Sequence, residues 1–326
     1  MHSGRIGHTS SLLLNGKILV TGGIYNNSIL NVTKLYDPST GFWTLTSSLN
    51  NSRHAHVAIV LQNGKVLVAG GYTDRKFLNT AELYDPFTGM WTMTGNMNNA
   101  RNYAAASILP NGKVLINGGY DGNIFLNSAE LYDPSTEIWT ITGNMSHPRD
   151  VHTSSLLPNG KILVTGGFMN PAYLDTVELY DLSTETWIMI DSMHEVRNRH
   201  TATVLLDGKV LIIGGSNGSL IRNSAELYDP TTGHWKSAGN MHHSRFNHQA
   251  VLLKNGKVLV TGGSNGSTAL NTVEFYDPST KMWILGVDMS FKREFHSACV
   301  LTVGKVLVTG GSDDHAHLHT CELYQP

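Results

Sequence analysis

The sequence predicts an all-β fold: a seven-bladed β-propeller of four-stranded antiparallel blades, the last of which lacks its outer strand. Three observations predict it. Glycine pairs fall at 22–23, 70–71, 118–119, 166–167, 214–215, 262–263 and 310–311, always 48 residues apart. Tyrosine (36, 84, 132, 180, 228, 276, 324) and tryptophan (43, 91, 139, 187, 235, 283) keep the same interval. Between them lie short runs rich in β-branched residues and bounded by turn residues, with no 3.6-residue apolar period of a helix. A fixed period near 50 residues with four strand signals per unit is the mark of a radially repeated sheet.

Each element of the unit has a physical reason. The first strand starts at Arg-x-x-His and runs through small residues into leucines, as in "RHAHVAIVL" (53–61). Asn-Gly or Asp-Gly follows, the dipeptide that tolerates the positive φ of a tight hairpin. "KVLVAGG" (65–71) is the second strand and "TAELYDP" (80–86) the third. Asp-Pro opens a turn because proline presets φ at its second position. The fourth strand is centred on tryptophan, as in "MWTMTGNM" (90–97). The units are 5–52, 53–100, 101–148, 149–196, 197–244 and 245–292, with 293–326 incomplete, and 1–326 is expected to form a single propeller domain. Seven full units would need 336 residues, ten more than are present. The shortfall is the tryptophan-bearing strand of the last unit, so Cys321–Tyr324 is expected to be an open edge of a fragment.

The glycine pair, the tyrosine of "ELYDP" and the tryptophan seven residues later, spaced as Gly71–Tyr84–Trp91, resemble the kelch repeat. The resemblance covers nearly the whole chain, in seven copies in register. The wording "NGKVLV" followed by Gly-Gly, then "AELYDP", is most similar to kelch propellers related to galactose oxidase. It is less similar to the kelch domains of ubiquitin-ligase adaptors. The resemblance implies that first strands line the channel and fourth strands lie outermost. Loops after the glycine pairs then share one face with the loops entering the arginines. The glycines are expected to accept the aromatic rings of the unit against their backbone. The glutamate and aspartate of "ELYD" are expected to fix turns and pair with the repeated arginines.

The loops after Gly-Gly vary widely ("IYNNSIL", "YTDRKFL", "YDGNIFL", "FMNPAYL", "SNGSLIR", "SNGSTAL", "SDDHAHL"), whereas the "NGK" and "DPSTG" turns are nearly constant. Variation on a constant scaffold is where recognition sits. Arg75, Lys76, Phe77, Tyr103, Tyr173, Arg199, Arg222, Phe246 and Phe295 depart from the repeat on that face and are the candidate ligand-binding residues. Arg5, Arg53, Arg101, Arg149, Arg197, Arg245 and Arg293 are expected as a ring at the channel mouth, with a structural role favoured because every unit has one. Histidine follows three residues behind in six units, with Ala104 in the seventh; ligands spread so widely make a poor metal site. His315, His317 and His319 alternate, so as a strand they would share a face, a weak candidate metal site of no established spacing.

Function classes are bounded by composition and by missing motifs. The chain has 326 residues, 40% hydrophobic and 15% charged, with 33 glycines and a net charge of −2. No basic field exists to hold nucleic acid, and no apolar run approaches the ~20 residues of a membrane helix. The two cysteines, Cys299 and Cys321, fix no disulfide pattern and read as small core residues. "VTGGSNGS" (260–267) is no phosphate cradle, because a strand rather than a helix follows. Galactose oxidase-like copper-radical chemistry would need a cysteine cross-linked to tyrosine and a further domain. No residue here is matched to that ligand set. The expected function is therefore a non-catalytic binding or scaffold module without cofactor, a monomer whose partner is a protein segment or a glycan. A copper-radical oxidase fragment or a purely structural repeat protein is the alternative. No secretory signal precedes the first unit, and location, cytoplasmic or extracellular, stays open.

Overall fold

The computed structural model describes residues 4–74 and 76–326, which fold as an all-β, seven-bladed propeller. Two compact units divide the chain, Met1–Asp150 with blades 1 to 3 and Val151–Pro326 with blades 4 to 7. Blades 1 to 6 are four-stranded antiparallel sheets with strands in sequence order. Blade 2 consists of Val57–Val60, Val66–Ala69, Ala81–Asp85 and Met90–Met93. Blade 7 has three strands, Ser297–Val300, Val306–Thr309 and Cys321–Tyr324.

Local chemistry sets each turn. Gly16, Gly64, Gly112, Gly160 and Gly256 sit near φ +80°, and the preceding asparagine accepts the amide of the following lysine through Oδ1 at 3.1 Å. In the Asp-Pro turns the aspartate caps its own loop: Asp37 Oδ1 accepts from the Ser39 amide and hydroxyl at 3.0 and 2.6 Å. Those bonds, with Lys17 at 3.1 Å, hold the Asp37 carboxyl down at about 2. The aspartates thus pair with the "GK" lysines, and the glutamates with the arginines.

Second strands are buried on both faces, whereas the fourth strands of blades 2, 3 and 6 expose every residue but the tryptophan. Adjacent blades share one core: Leu67, Ala69 and Leu83 of blade 2 pack against Val114, Ile116, Tyr132 and Trp139 of blade 3. Within a blade tyrosine and tryptophan rings lie about 5 Å apart, as in Tyr84–Trp91 at 5.1 Å. The indole N–H then ties the blade to the one before: Trp139 donates to the Gly95 carbonyl at 2.9 Å and Trp283 to that of Ala238 at 2.9 Å.

The glycine pairs do not accept the aromatic rings of their unit. A Cβ on Gly70 would stand 2.4 Å from the Arg101 carbonyl oxygen, and one on Gly71 2.7 Å from that of His54. Gly71 also donates its amide to the Arg101 carbonyl at 2.8 Å. The glycines let the backbone leading into the next blade's first strand lie against the sheet, a contact no side chain permits. Cys299 and Cys321 form no disulfide, and both are half-buried.

Candidate functional site

The repeated arginines form the frame under the variable loops. All seven are 0–1% exposed, so they make no collar that a ligand could reach. Arg53, Arg101, Arg245 and Arg293 each donate through Nη1 to a carbonyl of the glycine pair and through Nη2 to the glutamate of the third strand, at 2.5–2.8 Å. The same carboxylate takes the amides of the entering loop: Glu82 accepts from Asn50 and Asn51 at 2.8 and 3.0 Å. A buried guanidinium needs this counter-charge.

The residue after each arginine pairs with the residue after the glycine pair. His54 bridges Tyr72, Asn102 bridges Tyr120, Asn198 bridges Ser216, Phe246 bridges Ser264 and Glu294 bridges Ser312. Loops entering the arginines and loops leaving the glycines therefore lie side by side within each blade. The next position has positive φ in every blade: Gly7 (61°), Ala55 (52°), Tyr103 (49°), Val151 (45°), Arg199 (52°), Asn247 (53°) and Phe295 (53°). Its amide donates to the same position one blade back, Tyr103 to Ala55 at 3.0 Å in the first unit and Asn247 to Arg199 at 3.3 Å in the second. Six non-glycine residues held there carry a backbone cost of the order of 1 kcal/mol or more each. The backbone at this position is constant while its side chain differs in every blade.

In the second unit these side chains converge. Arg199 of blade 5 reaches over blade 6, its guanidinium carbon 5.6 Å from the Phe295 ring centroid of blade 7. On the way its Nη1 donates to Asn247 Oδ1 at 3.3 Å, and Asn247 Nδ2 donates to Glu294 Oε2 at 3.0 Å. A cation stacked on an aromatic face, an amide and a carboxylate thus stand in line, half-buried, at the tops of three successive blades. Arg222, further out, is neutralised: its Nη1 donates to Glu195 Oε1 at 2.9 Å, and Glu195 also takes Arg197 Nη2 at 3.1 Å and the Ser224 hydroxyl. Glu195, Arg197 and Ser224 line a cleft of about 300 Å³ with His194, Glu226, Ser237 and Asn240.

Other candidates serve packing. Phe77 meets Tyr72 (4.9 Å between centroids) and Tyr120 (5.5 Å) edge-on, and its ring fills the space where Gly122 lacks a Cβ. Tyr173 lies on Phe168 (4.9 Å) and against Gly218 in the same way. Lys76 is exposed in the hairpin Tyr72–Thr73/Lys76–Phe77, Tyr103 is 37% exposed, and Phe246 is half-buried. Arg75 lies outside the described residues. His315, His317 and His319 do not share a strand face. Asp313 Oδ1 caps a turn by accepting the His315 and Ala316 amides, so His315 sits at its tip and His317 pairs back to Ser312. Among the described residues no three His, Cys, Asp or Glu side chains group as metal ligands. Sequence alone does not single out Asn247, Glu294 and Glu195. Their signal is the loss of register identity at positions three, two and forty-seven of the unit, masked by their ordinary surface chemistry.

Family models agree with this geometry. The model described as Attractin/LZTR1 beta-propeller matches residues 1–224, and that of the Kelch motif matches residues 245–290. Among solved structures the chain is similar to a novel fungal alcohol oxidase of the AA5 family, in complex with copper. The TM-score is 0.82 at 18% identity, covering 99% of this chain and 74% of that one. At this identity the likeness shows the fold alone. No curated protein matches.

Proposed function

Because the chain belongs to the Attractin/LZTR1 β-propeller family, we propose that it is a non-catalytic binding module that takes a protein segment or a glycan on the face of its Gly-Gly and inter-blade loops. Propellers built of kelch repeats commonly bind proteins. The observation that carries the reading is the Arg199–Asn247–Glu294–Phe295 line. It breaks the repeat at the position where the backbone is held constant, and it offers a charge, an amide and an aromatic face together. Selecting a random peptide display library and a glycan array against the chain tests it. Ligands recovered should be lost by the combined variant Arg199→Ala, Phe246→Ala, Phe295→Ala, whose unfolding midpoint must stay near the parent's. Binders insensitive to those changes place the site elsewhere.

The copper oxidase neighbour raises a second reading. Among the described residues no three His, Cys, Asp or Glu side chains converge. The blade histidines are buried one in each of six units, and Nε2 of His56, His200, His248 and His296 is bonded to threonine hydroxyls at 2.9–3.1 Å. Stoichiometric copper uptake with peroxide release from an alcohol would overturn the binding-module reading.

A further inference from the structure

The Asp-Pro turn of blade 2 departs from its repeat. Two residues after the aspartate, five other blades carry a hydroxyl: Ser39, Ser135, Ser183, Thr231 and Ser279 each donate to their aspartate Oδ1 at 2.6 Å. Blade 2 has Phe87 there, 96% exposed. Asp85 Oδ1 keeps only the Phe87 and Thr88 amides, at 2.8 and 3.4 Å, and its Oδ2 accepts no hydrogen bond among the described residues. The pair with Lys65 is stretched to 4.0 Å, against 3.0–3.3 Å in blades 1, 3, 4 and 6. Blade 5 has a pair nearly as long, but there Lys209 turns to Asp207 at 2.6 Å. A lone exposed ring is ordinary on a surface. This one displaces a hydrogen bond that five blades keep, and beside it a carboxylate oxygen and an ammonium stand with unused capacity.

These groups wall a cleft of about 490 Å³ within the first unit, at the strand ends away from the Gly-Gly loops. Pro86 and Phe87 form one side. Leu14, 78% exposed, lies over Gly64, where a Cβ would stand 2.9 Å from its Cδ1. In the corresponding cleft between blades 2 and 3, Gln62 and Ser135 stand in the places of Leu14 and Phe87. We propose that the blade 2 cleft binds a neutral sugar ring, its CH face against Phe87 and Leu14 and its hydroxyls on Asp85 Oδ2 and Lys65 Nζ. A sugar hydroxyl both donates and accepts, as the two polar groups require, and a neutral ligand matches a site whose one cation and one anion cancel. Three apolar residues are too few to found a protein interface, which takes about 20–30 residues a side. An apolar wall with a few placed polar groups is instead the build of a small-ligand site. The cleft stands apart from the loop site, and neither reading depends on the other.

Titration of the full chain with methyl β-glucopyranoside, methyl β-galactopyranoside and N-acetylglucosamine, followed by NMR of the sugar, tests the cleft. At least one should bind in the millimolar range, with its ring CH protons moved upfield by the Phe87 ring current. Phe87→Ser should abolish the upfield shift, and Phe87→Trp should keep it. Phe87→Ser regains the hydroxyl cap of the other blades, so it should unfold no earlier than the parent, and its loss of binding is then not a loss of fold. Asp85→Asn still offers Oδ1 to the Phe87 amide and should weaken binding about tenfold. The combined loop variant Arg199→Ala, Phe246→Ala, Phe295→Ala should leave the shift unchanged. No shift with any of these sugars, a shift that survives Phe87→Ser or is lost in the loop variant, or earlier unfolding of Phe87→Ser overturns the proposal. A proline-rich display peptide held by Phe87, with no sugar shift, assigns the cleft to a protein partner and overturns it as well.

Discussion

Arg53 donates through Nη2 to Glu82 Oε1 at 2.8 Å with both side chains wholly shielded from solvent. Removing one partner leaves a buried charge unmatched, so Glu82→Gln or Arg53→Ala should cost about 3–5 kcal/mol. Lys17→Ala, which breaks the 3.1 Å pair with Asp37 on the turn side, should cost no more than about 1 kcal/mol, since both groups are partly exposed. Urea midpoints of the three variants check the contrast. Equal shifts would mean that the buried pairs are not the frame of the blade.

The glycine pairs should be far less replaceable than the turn glycines. Gly71→Ala forces a Cβ to 2.7 Å from the His54 carbonyl oxygen at φ +96°. Gly41→Ala, at φ +75°, meets nothing within 4 Å. The second should cost about 1 kcal/mol for the backbone alone. The first should exceed it several-fold, because the blocking atom is main chain and cannot rotate away. Calorimetric Tm values of the two variants measure the difference.

Stability should fall as pH drops through the histidine range. His56 and His248 are fully enclosed; burial first, then Arg53, His54 and His8 for one and Arg245, His296 and His200 for the other, hold both well below the ordinary histidine value. A folded-state pKa below the unfolded one means that the unfolded chain binds more protons. The contribution is therefore full above about pH 6.5 and is lost as pH falls below it. Thr9 and Thr201, each one blade back, hold the two Nε2 atoms at 3.0 and 2.9 Å, and Nδ1 of each ring is buried without a hydrogen-bond partner among the described residues, so charging the ring leaves a buried N–H unmatched. Ala104 shows that a blade tolerates alanine in this register. His248→Ala should lower stability at pH 8 and flatten its decline between pH 7 and pH 5. An unchanged slope would assign the acid sensitivity to other groups.

Most of the fold is legible in the residues because each signal is repeated six or seven times. Asn-Gly turns, Asp-Pro turns and the tyrosine–tryptophan pair all use contacts within about 20 residues. The glycine pair misled because its partner, the carbonyl of the arginine 31 residues on, has no side-chain signature; Gly70 meets Arg101 and Gly22 meets Arg53. Phe77 and Tyr173 look like exposed anchors in sequence, and only the next blade's Gly122 and Gly218 reveal what covers them. Phe87 is visible as "DPFTG" against "DPSTG", yet a single exchange in a repeat carries no weight until the serines are seen to cap their aspartates.

Phe77 separates packing from recognition most sharply. Its ring carbons Cδ2 and Cε2 would stand 2.5 Å from a Cβ on Gly122, one blade further on. Gly122 is at φ +104°, so Gly122→Ala pays backbone strain as well as the clash. Trimming the ring by Phe77→Leu should relieve the clash and leave the strain. The double variant should therefore be more stable than the sum of the two single changes by about 1 kcal/mol or more, the coupling of side chains in direct contact. Phe77→Leu alone also loosens Tyr72 and Tyr120, at 4.9 and 5.5 Å, and should lower Tm without touching any ligand. Denaturation of the four proteins of this cycle gives the coupling. Additive changes, with Phe77→Leu as stable as the parent, would return Phe77 to the list of residues free to meet a partner.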